Sequence, residues 1–332
     1  MYADRIDNYK RLEEERGSKV LVYITGDRPG METQIHSEVV DYFGDHLDTF
    51  NLPRKISLFL YSRGGSTLAG WSLVHLIRQF CKEFEVIVPA KALSTATIIC
   101  LGADNILMTK QATLGPIDPS VNTPLNPQIP GGGPQAKMPV SVEAMRGFID
   151  LAKKEIGIRE KRSLSNILTE LSNKVHPLVL GEAYRARTQI KFLARRLLSN
   201  NIKDAKKVNK IIDFLCSESG SHDYTINRRE ARDILGLNIE KPNDSLYDLI
   251  KNIHNNIRDE LHLNNLYNPQ SVLGVQTQAN FSFPRSLIES VTGGSDRFIS
   301  EGTLIKKQIQ IAPGVMKEAI DDQRTFEGWR HQ

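Results

Sequence analysis

Long apolar runs are absent from this chain of 332 residues. No window approaches the roughly 18 consecutive apolar residues that a membrane-spanning helix needs, so we predict no membrane span. The residues that follow Met1 also lack the apolar segment of a secretory signal. We therefore predict no signal peptide.

Cysteine is scarce as well, with only Cys81, Cys100 and Cys216 in the chain. An odd number, with two members in apolar helical patterns, is typical of reduced core residues rather than of a disulfide framework or a metal site. We therefore expect a cytoplasmic protein that binds no metal and no cofactor. The net charge is only +4, which is too weak to indicate a nucleic-acid partner.

One stretch in the first half of the chain combines a strand, a bend and a buried helix. Three successive β-branched residues at 86–88 predict a strand covered on both faces, and Pro89 ends that run. Residues 96–103 are small or apolar, which predicts a helix buried almost all round. Ser94 lies where this helix begins and where the first backbone amides lack partners inside the helix. Its hydroxyl is therefore either a helix cap or an activated nucleophile.

Strand and helix patterns alternate from residue 20 to residue 108. The hydrophobic pattern predicts strands at 20–24, 56–61, 86–88 and 105–108, with helices between them. This alternation predicts a parallel sheet with right-handed crossovers and functional loops at the carboxyl ends of its strands. Farther along, apolar stripes predict helices near residues 164–175, 180–198, 205–215 and 246–261.

Two turns follow neighbouring strands of this predicted sheet. Gly64 and Gly65 come after the second strand, and Ser94 and Thr95 come after the third. A glycine lets its amide approach a substrate because no side chain stands in the way. With the amides of Gly65 and Thr95 as donors, Ser94 would face a two-amide oxyanion hole, which is the arrangement that acyl transfer requires.

The motifs around these turns resemble those of the serine dehydrogenase proteinase family. That family is similar to signal peptide peptidase A and belongs to the wider Clp-protease/crotonase fold. The resemblance is strong over about residues 18–160, and four segments carry it: Ser62–Gly65, Lys91–Thr97, Gly102–Met108 and Leu114–Pro119.

The resemblance implies an α/β fold, with a spiral βαβ domain of the Clp-protease/crotonase type followed by a mainly helical C-terminal region. We divide the chain accordingly into a catalytic domain at 1–160, a helical region at 161–263 and an extended C-terminal tail at 264–332. The loop at 122–139 is rich in proline and glycine, and its length suits an active-site flap.

By resemblance, Ser94 is the nucleophile and the amides of Gly65 and Thr95 form the oxyanion hole, with Gly64 in a supporting place. Two positions depart from the pattern of Clp-type proteases. Arg63 stands where those proteases usually have proline, and Thr95-Ala96 replaces a flexible residue followed by glycine.

The base that activates the serine is less evident from the motifs. Clp proteases place a histidine roughly where this chain has Asp118, but no histidine lies between His75 and His176. The signal peptide peptidase group uses a lysine instead, and Lys137 occupies a similar place. Such a lysine works as a base only if desolvation lowers its pKa. Lys91, three residues before Ser94, is the rival base. Asp118 either holds its loop in place or acts directly.

The resemblance predicts an ATP-independent serine peptidase with a Ser94–Lys137 dyad that cleaves peptides or unfolded protein segments. We expect it to form a homo-oligomer that shields the active sites. Two alternatives remain open. One is a scaffold that keeps the fold but is catalytically weak or inactive. The other is a crotonase-like enzyme that acts on an acyl-CoA thioester through the same kind of oxyanion hole.

Overall fold

The computed structural model describes residues 1–131, 133, 135–218, 221, 223–312 and 315–332. Its internal contacts divide the chain into two compact units. The first unit joins Met1–Leu114 to Asn227–Gln332, and the second is the inserted segment Gly115–Ile226. This division differs from the predicted boundaries at residues 160 and 263, because the chain returns to the first unit after the insertion.

The first unit is built on an eight-stranded sheet with the strand order β10-β5-β3-β2-β1-β11-β12-β13. Strands β10, β5, β3, β2 and β1 run parallel, and β11, β12 and β13 are added antiparallel beyond β1. The parallel part confirms the predicted α/β fold class. The strands of the sheet are β1 (Lys19–Thr25), β2 (Lys55–Tyr61), β3 (Glu83–Val88), β5 (Asn105–Met108), β10 (Ile239–Glu240), β11 (Gln278–Ser290), β12 (Gly294–Ala312) and β13 (Val315–His331).

Helices alternate with the parallel strands, as the hydrophobic pattern predicts. The first unit contains α1 (Ile6–Arg16), α2 (Val39–Asp48), α3 (Thr67–Phe80), α4 (Thr95–Leu101), α9 (Arg228–Asp233), α10 (Asp244–Glu260) and α11 (Pro269–Leu273). Short strands complete the chain in this region: β4 (Lys91–Ala92), β6 (Thr113–Leu114) and β9 (Ile226–Asn227).

The core of the first unit lies on both faces of the sheet. On one face, α1 and α10 pack against β1, β2, β3 and β5, and one cluster includes Leu12, Val22, Phe59 and Ile253. On the opposite face, the ring of Phe43 in α2 lies edge-on to Tyr23 in β1, with 5.2 Å between the ring centroids. Because both faces are covered, the strands are continuous apolar runs rather than alternating ones.

Helices α3 and α4 approach each other closely through a glycine. A Cβ placed on Gly70 would lie 2.6 Å from Cγ2 of Thr95. All seven residues of α4 are buried, which confirms the predicted burial of this helix on all sides. This packing places the start of α4 at the carboxyl edge of the sheet, beside the turn that follows β2.

Residues 264–332, predicted as an extended tail, form long strands of the main sheet. Strand β11 pairs with β1 over Thr25–Leu21, and β12 pairs with β11 and β13. Residues 286–290, at the end of β11 that pairs with β1, are all buried, and Leu304 in β12 is buried as well. The part of β11 beside the parallel strands is therefore covered on both faces, like those strands.

The second unit is mainly helical. It contains β7 (Ser120–Val121), β8 (Val140–Ser141), α5 (Val142–Asp150), α6 (Lys161–Lys174), α7 (Pro177–Asn201) and α8 (Ala205–Asp213), with π-helical turns at Leu151–Glu155 and Phe214–Glu218. Ser141 caps α5 by accepting a hydrogen bond from the amide of Ala144, as its position predicts. In the loop at 122–139, Gly132 and Pro134 lie outside the described residues. Within the described part of the chain, every helix is too short or too polar to cross a membrane.

Candidate active site

Ser94 adopts a backbone conformation that is rare for a residue with a side chain. Its φ is 52° and its ψ is −115°, at the N-cap position of α4. The side chain makes no capping hydrogen bond, and the hydroxyl has no hydrogen-bond partner in the described part of the chain. The simple capping role that the sequence allowed is therefore absent. A half-buried serine held in a strained bend with a free hydroxyl is instead suited to act as a nucleophile.

Hydrogen bonds on the N-terminal side of Ser94 hold this conformation in place. The amide of Ser62 donates to the carbonyl of Lys91 at 3.1 Å, and the amide of Leu93 donates to the carbonyl of Ser62 at 3.0 Å. On the C-terminal side, the amide of Ile98 donates to the carbonyl of Ser94. Because the chain is fixed on both sides, the strain at Ser94 can persist.

Gly64 is in van der Waals contact range of Ser94. A Cβ on Gly64 would lie 2.8 Å from Cβ of Ser94 and 3.2 Å from its Oγ. The φ of Gly64 is also positive, at 115°. A glycine is therefore required at position 64 for two reasons: the backbone has a positive φ there, and the side chain of Ser94 approaches closely.

Gly65 is constrained by a different neighbour. A Cβ on Gly65 would overlap the backbone of Ile35, whose amide donates to the carbonyl of Gly64 and whose carbonyl accepts from the amide of Ser66. The sequence suggested that a side chain at Gly65 would fill the place of a substrate carbonyl, whereas the structure directs it toward Ile35. The N–H of Gly65 itself has no partner in the described part of the chain.

Thr95 contributes an unpaired amide and a side-chain hydrogen bond to the glycine turn. Its N–H, at the first position of α4, has no partner among the residues that the structure describes. Its side chain is fully buried, and its hydroxyl donates to the carbonyl of Gly65 at 2.7 Å. The threonine that departs from the family pattern therefore ties the two turns together. The structure thus brings Ser94, Gly64, Gly65 and Thr95 into one place.

Lys91 is engaged in an ion pair rather than directed at a hydroxyl. Its Nζ lies 2.7 Å from Oδ2 of Asp27, and the hydroxyl of Tyr61 donates to both oxygens of the same carboxylate at 2.9 Å. Asp27 is buried, and its carboxylate holds the Lys91 amine in this ion pair. This arrangement argues against Lys91 as a base. The sequence missed the pairing because Asp27 lies 64 residues away.

Lys137 and Asp118 belong to the second unit, so their predicted roles toward Ser94 remain predictions. Lys137 is half-buried and pairs through its backbone with Gln128 in an isolated antiparallel bridge. In the described part of the chain, its amine makes no hydrogen bond or ion pair. Among the apolar residues that follow Lys137 in the chain, Met138 is exposed and Val140 is buried. Asp118 is half-buried.

A second serine contacts a histidine and a carboxylate elsewhere in the first unit. Oγ of Ser290 lies 2.7 Å from Nδ1 of His46, and Nε2 of His46 lies 2.9 Å from Oδ2 of Asp296. The connectivity is that of a catalytic triad. Ser290 is completely buried, however, so a peptide carbonyl has no route to its hydroxyl. We interpret this group as a structural link between α2 and the β11–β12 turn.

The described residues include no group of three or more histidine, cysteine, aspartate or glutamate side chains arranged to hold a metal ion. The three cysteines are free thiols. Burial raises the pKa of the Cys81 thiol to about 11.

Comparison with known proteins identifies a family for part of the chain. Residues 51–157 match the family described as ClpP-like SDH-type serine proteinase, which confirms the resemblance predicted from the motifs. Two uncharacterized proteins of Methanocaldococcus jannaschii are related in sequence. One is 28% identical over 187 residues, which are 56% of this chain and 54% of the relative. The other is 35% identical over 66 residues, which are 20% of this chain and 23% of the relative. The chain thus spans about half the length of the first relative and about a quarter of the second.

Several solved structures are also similar to this chain. One is a mutant of the 1510-N membrane-bound stomatin-specific protease in complex with a substrate peptide, at 16% identity and a TM-score of 0.39, covering 70% of this chain and 80% of the other. Another is ClpP1 from Listeria monocytogenes, at 16% identity and a TM-score of 0.37, covering 71% of this chain and 98% of the other.

Proposed function

We propose that this chain, whose residues 51–157 match the ClpP-like SDH-type serine proteinase family, is a serine peptidase with Ser94 as its nucleophile. One observation carries the proposal. The Ser94 hydroxyl is free and held in a strained bend between two turns, and each turn offers an unpaired amide in the described part of the chain. A free nucleophile beside two amide donors is the arrangement that peptide hydrolysis requires.

The proposed reaction begins when Oγ of Ser94 attacks the carbonyl carbon of a peptide bond. The negative charge that develops on the carbonyl oxygen accepts hydrogen bonds from the amides of Gly65 and Thr95. The C–N bond then breaks, and the leaving amine takes up the proton that the serine lost. Water hydrolyses the resulting ester and restores the hydroxyl.

We propose Lys137 as the group that accepts the serine proton and returns it to the leaving amine. The ion pair of Lys91 with Asp27 supports this choice, because it engages the Lys91 amine with a carboxylate rather than with the Ser94 hydroxyl. Lys137 must be neutral to act, so the proposal requires that its amine be desolvated when the enzyme is assembled. We give Asp118 the role of ordering the loop between β6 and β7.

The wider proposal covers substrate, assembly and location. We propose that the enzyme cleaves peptides or unfolded segments without ATP, as a cytoplasmic homo-oligomer. The free thiols of the three cysteines are consistent with a reducing compartment. Sedimentation at micromolar concentration tests the assembly, and a monomer would contradict it.

Covalent labelling with a fluorophosphonate probe, with mapping of the modified residue by mass spectrometry, tests the nucleophile. We expect wild type to be labelled at Ser94 and Ser94→Ala to remain unlabelled. Ser290→Ala is the matched control, because Ser290 also contacts a histidine but is buried. It should be labelled like wild type.

Three results would contradict the proposed function. Labelling that persists in Ser94→Ala would assign the nucleophile to another residue. No labelling of folded wild type would favour the inactive scaffold. Turnover of an acyl-CoA thioester that survives Ser94→Ala would favour the crotonase-like alternative.

A further inference from the structure

Ser62, the first residue after β2, is completely buried, and its hydroxyl is bound from two directions. The hydroxyl of Thr25, at the end of β1, donates to Oγ of Ser62 at 2.7 Å. The amide of Gly64 donates to the same oxygen at 3.0 Å. A buried hydroxyl that receives two hydrogen bonds has little freedom to reorient, so Ser62 fixes the glycine turn relative to β1.

The bond from Gly64 determines which amide of the turn remains available. Gly64 and Gly65 together have two N–H groups and two carbonyls. The carbonyl of Gly64 accepts from the amide of Ile35, and the carbonyl of Gly65 accepts from the hydroxyl of Thr95. Since Ser62 occupies the N–H of Gly64, only the N–H of Gly65 is left without a partner in the described part of the chain.

Ser62 also contacts the segment that leads to the nucleophile. Its amide donates to Lys91, and its carbonyl accepts from the amide of Leu93, the residue before Ser94. One residue thus connects the end of β1, the glycine turn and the bend at Ser94. Two glycines with positive φ have many alternative conformations, so such a connection is needed to hold a single amide in position.

We propose that Ser62 is a positioning residue that directs the Gly65 amide toward the substrate carbonyl, with Thr25 as its hydrogen-bond donor. The inference rests on the proposed function, in which Ser94 is the nucleophile and Gly65 is an oxyanion donor. An oxyanion contact is strongest in the transition state. Removing the Ser62 hydroxyl should therefore slow the chemical step and leave binding almost unchanged.

The kinetic test uses inactivation by the fluorophosphonate probe, which separates binding (KI) from reaction at the serine (kinact). We expect Ser62→Ala to lower kinact about 100-fold with little change in KI, because small misplacements of a catalytic donor have effects of that order. Ser57→Ala is the matched control. Ser57 is a buried serine in β2, the strand that leads to Ser62, but its hydroxyl bonds Ser18 and Glu85 near the start of that strand. It should leave kinact unchanged.

A second pair of variants tests the hydroxyl of Thr25, which donates the hydrogen bond to Ser62. Thr25→Val keeps the shape of the side chain and loses the hydroxyl, whereas Thr25→Ser keeps the hydroxyl and loses a methyl group. We expect a lower kinact in Thr25→Val and a value near that of wild type in Thr25→Ser. A merely structural role for Thr25 would give the opposite order, because the loss of a buried methyl group would then matter most.

Hydrogen–deuterium exchange over residues 60–66 tests the positioning without reference to activity. In Ser62→Ala, one additional amide, that of Gly64, should exchange rapidly, whereas Ser57→Ala should exchange like wild type. If wild type is not labelled at Ser94, the proposed function fails, and this exchange result still decides whether Ser62 orders the turn. Wild-type kinact in a folded Ser62→Ala variant, or unchanged exchange at Gly64, would overturn the inference.

Discussion

Replacing Gly64 with alanine is the sharpest perturbation of the nucleophile, because the new atom meets Ser94 directly. The added Cβ would lie 2.8 Å from Cβ of Ser94 and 3.0 Å from the carbonyl oxygen of Leu93. A side chain at positive φ costs about 1–2 kcal/mol. Overlap with packed neighbours adds about 1–3 kcal/mol. We therefore expect Gly64→Ala to lower the free energy of unfolding by about 2–5 kcal/mol.

The same variant should be labelled by the fluorophosphonate probe about 100-fold more slowly, because Ser94 must move to admit the methyl group. Gly17→Ala is the control, since Gly17 also has a positive φ of 56° but has no atoms within 4 Å of the added Cβ. In Gly17→Ala, the free energy of unfolding should fall only by the cost of a side chain at positive φ, about 1–2 kcal/mol, and the labelling rate should equal that of wild type. Urea unfolding gives the free energies. A Gly64→Ala protein that folds and is labelled at the wild-type rate would refute the placement of Ser94 against this turn.

Two further predictions concern titratable side chains. Lys137→Met, which keeps the apolar stem and removes the amine, should abolish peptidase activity without unfolding the protein. Lys91→Met should have a much smaller effect on that activity. Full activity in Lys137→Met together with no activity in Lys91→Met would make Lys91 the base. Burial lowers the pKa of His254 from 6.5 to about 4. As the pH decreases, His254 therefore takes up a proton in the unfolded protein at a higher pH than in the folded protein. The free energy of unfolding should fall by about 3 kcal/mol as the pH decreases from 7 to 4. Urea unfolding at both pH values should show this loss in wild type and a smaller one in His254→Leu; equal losses in the two proteins would exclude His254 as its source.

Much of the fold could be predicted because it depends on local patterns. Continuous runs of β-branched residues such as 86–88 are typical of strands covered on both faces, and the apolar spacing around them predicts the intervening helices. The C-terminal strands were harder to predict, because β11 to β13 are rich in polar residues and join the parallel sheet through β1, which lies near the other end of the chain. The alternation of apolar residues around Phe281 and Phe283 is a signal that could have identified β11 as a strand.

The sequence alone determined which residues meet at the candidate site, because Ser94 and the Gly64-Gly65 pair each follow a strand of one parallel sheet. Tertiary structure decided how those residues are used. It holds Ser94 in a strained bend without a capping bond, and it turns the Cβ direction of Gly65 toward Ile35. It also pairs Lys91 with Asp27. These outcomes depend on partners that lie far away in the sequence, and a local pattern carries no information about which distant group will lie within hydrogen-bonding distance.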